Sequence, residues 1–248
     1  MLDDPFSNLY GEGDYAAAIM LLPIASDQVA RMLPNALELA PQTATPAGTH
    51  PVFFMFGRQS DVHSHLSRWP TMTYDEFVLG VPGTQWKSTT STYRGPYFFM
   101  PRLFLNRLLP IGLGYLYGFA KELARVQVVN EAYQINSLWQ NEALISDQFT
   151  PQGSTDTVSN FPLFKTQMDW LNQPFIGQTL LGFYQRSHFD WDFDHAQIQA
   201  IEGQVTIAQT FKSGLPTGKF TFESLAQSAL GAFQLRTHWR LSPPSICR

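Results

Sequence analysis

The sequence has a single cysteine and little charge, and each shortage excludes a class of protein. Cys247 has no second cysteine to pair with, which excludes an intrachain disulfide framework. Only 15% of the 248 residues are Asp, Glu, Lys or Arg, and the net charge is −4. No basic cluster is present, which argues against nucleic acid or an acidic membrane surface as partner. Because aromatic residues make up 14% of the chain, we expect extensive burial, both in a core and between the subunits of a homo-oligomer.

Targeting segments, membrane spans and nucleotide motifs are not recognisable either. Residues 1–12 are acidic and polar, unlike a signal peptide. The most apolar segment, 103–120, contains polar residues and a proline and is too short to span a membrane. Gly112 and Gly114 lack the third glycine and the flanking elements of a dinucleotide site. We therefore predict a cytoplasmic protein that works without a cofactor and without a membrane partner.

Short apolar segments bounded by proline and glycine predict many strands and few helices. A short helix is predicted at 28–33, helical spacing recurs at 222–230, and loops are predicted at 40–51 and 146–160. The predicted strands lie at 13–22, 52–56, 72–81, 96–105, 204–211 and 232–241. This order of elements indicates an antiparallel α+β or largely β architecture, and we expect one domain over residues 1–248.

Lys121 is the residue most open to a chemical interpretation. Of the five lysines, only Lys121 follows a long segment, 108–119, that holds no charge. A poorly solvated ammonium has a lowered pKa, and a neutral amine is what Schiff-base chemistry on a carbonyl requires. The alternative is a lysine at a strand end or helix start whose head group reaches water.

Two polar clusters have residue types that could bind a metal ion. His63 and His65, with Asp61 nearby, have the spacing of ligands on one face of a strand, but no third histidine stands at a supporting distance. The acidic face of the alternating segment 188–194 has the chemistry for a hard cation, but a solvated strand face that discourages edge pairing explains it equally simply. We predict no metal site.

Three segments, in this order, resemble the acetoacetate decarboxylase-like family: residues 26–39, 74–82 and 117–124. The first resembles the family's early helix and turn, which ends in a leucine-proline and leucine-glutamate phrase. The second carries Glu76 where the family keeps a glutamate that faces the active site. The third places Lys121 after a glycine and an aromatic residue, as in the family phrase that carries the Schiff-base lysine.

The resemblance, which covers about residues 15–130, implies both a fold and a site. The implied fold is α+β and mainly antiparallel β, arranged around a closed or partly closed β-barrel. Lys121 is then the catalytic lysine, and Glu76 is the general acid and base. The pocket around the lysine is expected to bind substrate through Tyr74, Phe99, Met100, Leu116, Tyr117 and Phe119.

The sequence also departs from the family pattern. Ala120 replaces a proline, Glu122 replaces a second lysine, and residues 10–25 contain no arginine. The family's second glutamate is expected near Phe54 or Met55 and is absent there. Because adjacent side chains of a strand face opposite ways, Glu122 should point away from Lys121, and desolvation alone must lower the pKa of the lysine.

Two functions remain open. The first is a Schiff-base-forming carbon–carbon lyase, of decarboxylase or aldolase/dehydratase type, that acts on a β-keto acid or related ketone. The second is a non-catalytic member of the fold that binds an apolar small molecule in the same pocket.

Overall fold

The computed structural model describes residues 10–88, 93–129, 132–139, 142–179 and 181–247, apart from the side chains of Leu113, Leu116 and Val129. Within these residues, sixteen strands form one mixed sheet. The strands are β1 (Gly11–Ala25), β2 (Leu37–Leu39), β3 (Thr49–Ser64), β4 (Ser67–Trp86), β5 (Tyr97–Leu105), β6 (Lys121–Leu123), β7 (Arg125–Val129), β8 (Ala132–Asn136), β9 (Ala143–Thr157), β10 (Phe175–Gln178), β11 (Tyr184–Ser187), β12 (Phe189–Trp191), β13 (Gln197–Ile207), β14 (Gly218–Phe222), β15 (Phe233–Leu241) and β16 (Ser245–Ile246).

Helices are few and short. The α-helices are α1 (Ser26–Ala30), α2 (Leu108–Leu116) and α3 (Lys165–Leu171), and 3₁₀ turns lie at Val158–Asn160, Pro162–Phe164 and Gln209–Phe211. Across the described part of the chain, none of these helices has the length and apolar character needed to cross a bilayer. Their role is to connect strands, and α2 in particular leads into β6.

The strand order is β16-β11-β10-β5-β4-β3-β1-β15-β13-β9-β8-β7, with β2, β6, β12 and β14 paired to the side of this path. Neighbouring strands are antiparallel, except that β5 runs parallel to both β10 and β6. Over the described residues the two ends of the path, β16 and β7, are not paired with each other, so the barrel is only partly closed.

Both faces of the central strands are buried. In β1, Tyr15, Ala17 and Ile19 enter one hydrophobic cluster, whereas Ala18 and Met20 enter a second cluster on the opposite face. The alternation follows from the pleat of a strand, which sends successive side chains to opposite faces. Full burial of a large apolar side chain contributes about 1.5–3 kcal/mol, so the two clusters fix which residues face which way. We call the side that carries Tyr15 the site face.

The predicted strands at 13–22, 52–56, 72–81, 96–105 and 232–241 are confirmed, and most of them are longer than predicted. The polar segment 58–70 is also part of the sheet, because β3 and β4 continue past the core as a paired hairpin. Helix α1 overlaps the helix predicted at 28–33. The strand predicted at 204–211 lies within β13 up to Ile207 and then becomes a 3₁₀ turn.

Two local predictions are wrong. Residues 146–160, predicted as a loop from their Ser, Thr and Gly content, belong mostly to β9, which pairs along its length with β13. Residues 222–230, predicted as a helix from apolar spacing, form turns and a single bridge between Ser224 and Ala232. Helix α2, which contains Pro110, was not predicted from the sequence. That proline lies in the first turn, where backbone N–H groups have no helical partner in any case.

Asp147 on β9 is a buried carboxyl group. It is 4% exposed, and one of its oxygens accepts a hydrogen bond from the backbone N–H of Tyr133. Its second oxygen has no hydrogen-bond partner in the described residues. Burial raises the pKa of Asp147 from 3.8 to about 8. The folded protein therefore holds a proton here at a pH where the unfolded chain has lost it.

This retained proton makes stability depend on pH. Between the two pKa values the native state binds more protons than the unfolded state, so the free energy of unfolding falls as pH rises, by up to about 1.4 kcal/mol per pH unit. We expect urea denaturation to show this loss between about pH 5 and about pH 8. Asp147→Asn should reduce the slope, whereas replacement of the exposed Asp169 by asparagine should leave it unchanged. Equal slopes for Asp147→Asn and the wild type would contradict the assignment.

Candidate active site

Lys121 and Glu76 are brought together by the register of the sheet. Glu76 on β4 lies opposite Gly57 on β3. One row further along the sheet, Val78 lies opposite Leu103, and Leu103 lies opposite Lys121 on β6. Residues two apart on a strand share a face, so the two rows are adjacent on the site face.

Two cavities adjoin the lysine. The inner cavity, of about 70 Å³, contains the side chains of both Lys121 and Glu76. The outer cavity, of about 220 Å³, adjoins Lys121 from the other side. Apart from these two ionisable groups, the inner wall is mainly apolar and aromatic, and it includes Met55, Val78, Met100, Leu103, Phe119, Phe175, Phe189, Trp191, Trp239 and Leu241.

The lysine amine lies against protein groups rather than beside an ion-pair partner. Its Nζ donates a hydrogen bond of 3.3 Å to the carbonyl oxygen of Pro110 in α2. It lies 5.9 Å from the centre of the Tyr74 ring. Burial lowers the pKa of Lys121, and the negative charge of Glu76 partly opposes that shift. The charged form of the amine is thus destabilised by its surroundings, as the uncharged segment before it predicted.

Glu76 is fixed by a hydrogen-bonded chain of side chains. It is 5% exposed, and Gln59 donates a hydrogen bond of 2.9 Å from Nε2 to its Oε1. The amide oxygen of Gln59 accepts in turn from the indole N–H of Trp239 at 2.7 Å. Burial raises the pKa of Glu76, and the charge of Lys121 and the bond from Gln59 oppose the rise. The carboxyl group is therefore poised to hold a proton and to exchange it.

Glu122, the residue that follows the lysine, faces the opposite side of β6. Its Oε1 accepts a bond of 3.0 Å from Nη1 of Arg102, and both side chains are well exposed. This is the orientation that strand alternation predicted. Desolvation is accordingly the main cause of the lowered pKa of Lys121.

Gly114 in α2 provides the space for the lysine side chain. A Cβ atom at this position would lie 2.3 Å from both Cδ and Cε of Lys121 and 2.9 Å from its Nζ. No side chain fits at such distances, so the helix approaches the lysine closely only because residue 114 is glycine. The sequence had drawn attention to Gly114 only as part of an incomplete nucleotide motif.

The predicted pocket residues are distributed unequally around the lysine. Tyr74 and Phe119 line both cavities, Met100 lines the inner one and Tyr117 the outer one. Phe99 is placed elsewhere: it packs with Leu37, Tyr97 and Ile176 in a separate hydrophobic cluster, because it faces away from its neighbour Met100 on β5. The side chain of Leu116 lies outside the described residues.

Sequence reasoning missed several groups of the site, namely Tyr15, Gln59, Gly114 and Trp239. Tyr15, Gln59 and Tyr74 are cross-strand neighbours on β1, β3 and β4, one row beyond Glu76. The sequence shows the alternation along β1, but it does not show which strands are neighbours in the sheet. The segment that contains Gln59 had been interpreted only as polar.

The two histidines that have the spacing of metal ligands both lie close to the carboxylate of Glu12. His63 and His65 both approach Oε1 of Glu12, at 3.2 and 3.5 Å. Among the described residues, no group of three or more His, Cys, Asp or Glu side chains has an arrangement able to hold a metal ion.

Comparisons with known proteins identify the fold. No protein-family model matches the sequence. No curated protein matches it either. Solved structures do match, among them the enduracididine biosynthesis enzyme MppR complexed with pyruvate (12% identity, 99% of this chain and 93% of that chain, TM-score 0.67), an acetoacetate decarboxylase-like enzyme from Sphingomonas wittichii RW1 (10%, 97% and 93%, 0.61) and the acetoacetate decarboxylase of Legionella pneumophila (14%, 98% and 88%, 0.54). At these identities the likeness establishes the fold alone, and the fold implied by the sequence resemblance is confirmed.

The close packing of α2 against the lysine is testable with two alanine substitutions in one helix. Gly114→Ala should force the lysine side chain from its place and abolish selective modification of Lys121 by amine reagents, because its Cβ would meet the end of that side chain. Gly112→Ala is the matched control, because a Cβ there meets nothing within 4 Å. It should be neutral or stabilise the protein by about 0.5–1 kcal/mol. Similar effects of the two substitutions would refute the packing argument.

The direction of the lysine pKa is testable by measuring the rate of acylation at each lysine as a function of pH. We expect the acylation midpoint of Lys121 to lie below the ordinary pKa of a lysine amine. Glu76→Gln removes the negative charge that favours the ammonium, so the midpoint of Lys121 should fall further. An ordinary midpoint for Lys121, or a rise in the Glu76→Gln variant, would show that burial does not control this amine.

Proposed function

We propose, on the premise of an acetoacetate decarboxylase-like fold, that the chain is a carbon–carbon lyase that binds a carbonyl substrate covalently on Lys121. The observation that carries the proposal is the pairing of an amine of lowered pKa with a buried carboxyl group of raised pKa in one apolar cavity. A neutral amine is the nucleophile for a carbonyl, and a protonated carboxyl is the acid that its dehydration needs.

The first steps form the imine. Nζ of Lys121 adds to the carbonyl carbon, and proton transfer from nitrogen to oxygen gives a neutral carbinolamine. Glu76 then protonates the hydroxyl group, the C–O bond breaks, water leaves, and the nitrogen lone pair forms the C=N bond of an iminium ion. The exchange leaves Glu76 as a carboxylate beside the new positive charge, which it stabilises.

The iminium then accepts the electron pair of a breaking carbon–carbon bond. With a β-keto acid the bond to the carboxylate breaks and carbon dioxide leaves. With a β-hydroxy ketone Glu76 removes the hydroxyl proton and an aldehyde leaves. Either route gives an enamine, which takes a proton on carbon, and hydrolysis of the resulting iminium releases the ketone and restores Lys121. These steps require no cofactor.

Structural neighbours support a carbonyl ligand. MppR has been crystallised with pyruvate and, separately, with the condensation product of pyruvate and imidazole 4-carboxaldehyde. A fold that accommodates a keto acid and a condensation product in that protein is compatible with lyase or aldol chemistry in this one. The homo-oligomer and the cytoplasmic location expected from the sequence remain predictions.

The second candidate, binding without turnover, is favoured by the apolar lining of the inner cavity. An apolar molecule could occupy that space by burial of surface alone. The two functions differ in one respect that can be measured, since only the first requires a covalent bond to Lys121.

Reductive trapping separates these functions. Borohydride treatment in the presence of a small ketone should add the mass of the reduced adduct to the peptide that contains Lys121. The other four lysines are exposed and do not line the cavity, so they should remain largely unmodified under the same conditions. Lys121→Met should abolish trapping, whereas Lys219→Met should not affect it. Saturable ketone binding without any adduct would instead support the non-catalytic function.

A further inference from the structure

Tyr15 brings a buried hydroxyl group to the inner cavity. The residue is 2% exposed and lines this cavity together with Lys121 and Glu76. Its hydroxyl oxygen is buried, and no described residue forms a hydrogen bond with it. Leaving a buried polar group unsatisfied is unfavourable, so a ligand oxygen that accepted a hydrogen bond from this hydroxyl would gain a substantial interaction.

The position of the phenol is set by backbone packing. The ring crosses Gly57, where a Cβ atom would lie 2.5 Å from Cε2 and 2.8 Å from the hydroxyl oxygen. Gly57 is the cross-strand partner of Glu76, so the phenol points along the row that leads to the carboxyl group. Burial and the nearby charge of Glu76 raise the pKa of Tyr15 well above 10.0. The group is therefore a hydrogen-bond donor at neutral pH.

The charges around the phenol are unfavourable for an anion. Among the described residues that line the inner cavity, the charged groups are Lys121 and Glu76. The site face of β1 carries Tyr15, Ala17, Ile19 and Leu21, none of which is cationic. In the iminium state the single positive charge at Lys121 is already balanced by the carboxylate of Glu76. A substrate carboxylate beside Tyr15 would therefore add a second buried negative charge with no further cation in the inner cavity to balance it, which is strongly disfavoured.

The histidine of the outer cavity does not supply the missing cation. His63 lines that cavity, but its Nε2 faces Oε1 of Glu12 at 3.2 Å. Any positive charge on this imidazole is thus matched by a carboxylate of the protein. The hydroxyl group of Tyr15, which is buried without a partner among the described residues, is a neutral group available to a second substrate oxygen.

We propose that Tyr15 donates a hydrogen bond to a second, uncharged oxygen of the substrate, and that the substrate class is therefore a neutral β-oxygenated ketone rather than a β-keto acid. A β-hydroxy ketone carries this oxygen on the carbon two positions from the carbonyl carbon that Lys121 captures. The apolar wall receives the rest of the molecule. The inference rests on the proposed function, and it narrows that function to the aldol type of bond cleavage.

Three probes of nearly equal size test the inference: 4-hydroxypentan-2-one, acetoacetate and pentan-2-one. They share a methyl ketone and differ in bearing a neutral oxygen, a carboxylate or no second oxygen. The measurement is the probe concentration that gives half-maximal borohydride trapping on Lys121, counting intact and decarboxylated adducts together. We expect 4-hydroxypentan-2-one to require the lowest concentration and acetoacetate the highest.

The Tyr15→Phe substitution tests whether the Tyr15 hydroxyl group is responsible for the expected preference for 4-hydroxypentan-2-one. The variant keeps the ring over Gly57 and should raise the half-maximal concentration for 4-hydroxypentan-2-one about tenfold, the effect of one neutral hydrogen bond. The value for pentan-2-one should not change, and thermal unfolding should show a stability equal to or above that of the wild type. If Tyr15 had only a structural role, its replacement would change the half-maximal trapping concentrations of all three probes by a similar factor.

The outcomes separate this inference from the proposed function. If none of the probes modifies Lys121 in the wild type, the Schiff-base function itself is refuted, and the inference with it. If Lys121 is modified but acetoacetate is trapped at the lowest concentration, the neutral-substrate inference is refuted and the Schiff-base function stands. If Tyr15→Phe leaves the order and spacing of the three values unchanged, the role of Tyr15 is refuted.

Discussion

The site depends on the cost of placing an amine and a carboxyl group in the same apolar cavity. Burial disfavours the charged form of each, so the pKa of Lys121 is lowered and that of Glu76 is raised, while their mutual attraction limits both shifts. The amine binds a backbone carbonyl and the carboxyl group binds an amide, so both retain partners without pairing with each other. The proposed reactivity depends on this separation, since a tight ion pair would leave neither a nucleophile nor an acid.

The sheet maintains this arrangement by register. Tyr15, Glu76 and Lys121 lie in three neighbouring rows of the site face, and each row is fixed by backbone pairing across several strands. A shift of one residue would send Glu76 to the opposite face of the sheet, where a second hydrophobic cluster already fills the space. The long paired strands β3 and β4 therefore act as the rigid support on which the chemistry depends.

The sequence was sufficient for part of this picture. Lys121 was identified from its uncharged approach and Glu76 from the family resemblance, because both lie in short local motifs. Tyr15 and Gln59 could not be found in this way, since they meet Glu76 only through the pairing of β1 with β3 and of β3 with β4. The loop predicted at 146–160 was wrong for a related reason: composition favoured a turn, but pairing with β13 supplied the strand's hydrogen bonds. Local sequence patterns indicated which residues were candidates for the site. The long-range register of the strands determined which residues lie next to one another in it.

The bond from Gln59 to Oε1 of Glu76 also bears on the stereochemistry of the reaction. With one carboxyl oxygen engaged by an amide that Trp239 holds in place, proton exchange is left to the other oxygen. In the proposed reaction, a flat enamine attached to Lys121 would then meet its proton donor from a single side. A prochiral carbon protonated in this way would acquire one handedness, so the amide that holds the acid would also select the enantiomer that is released.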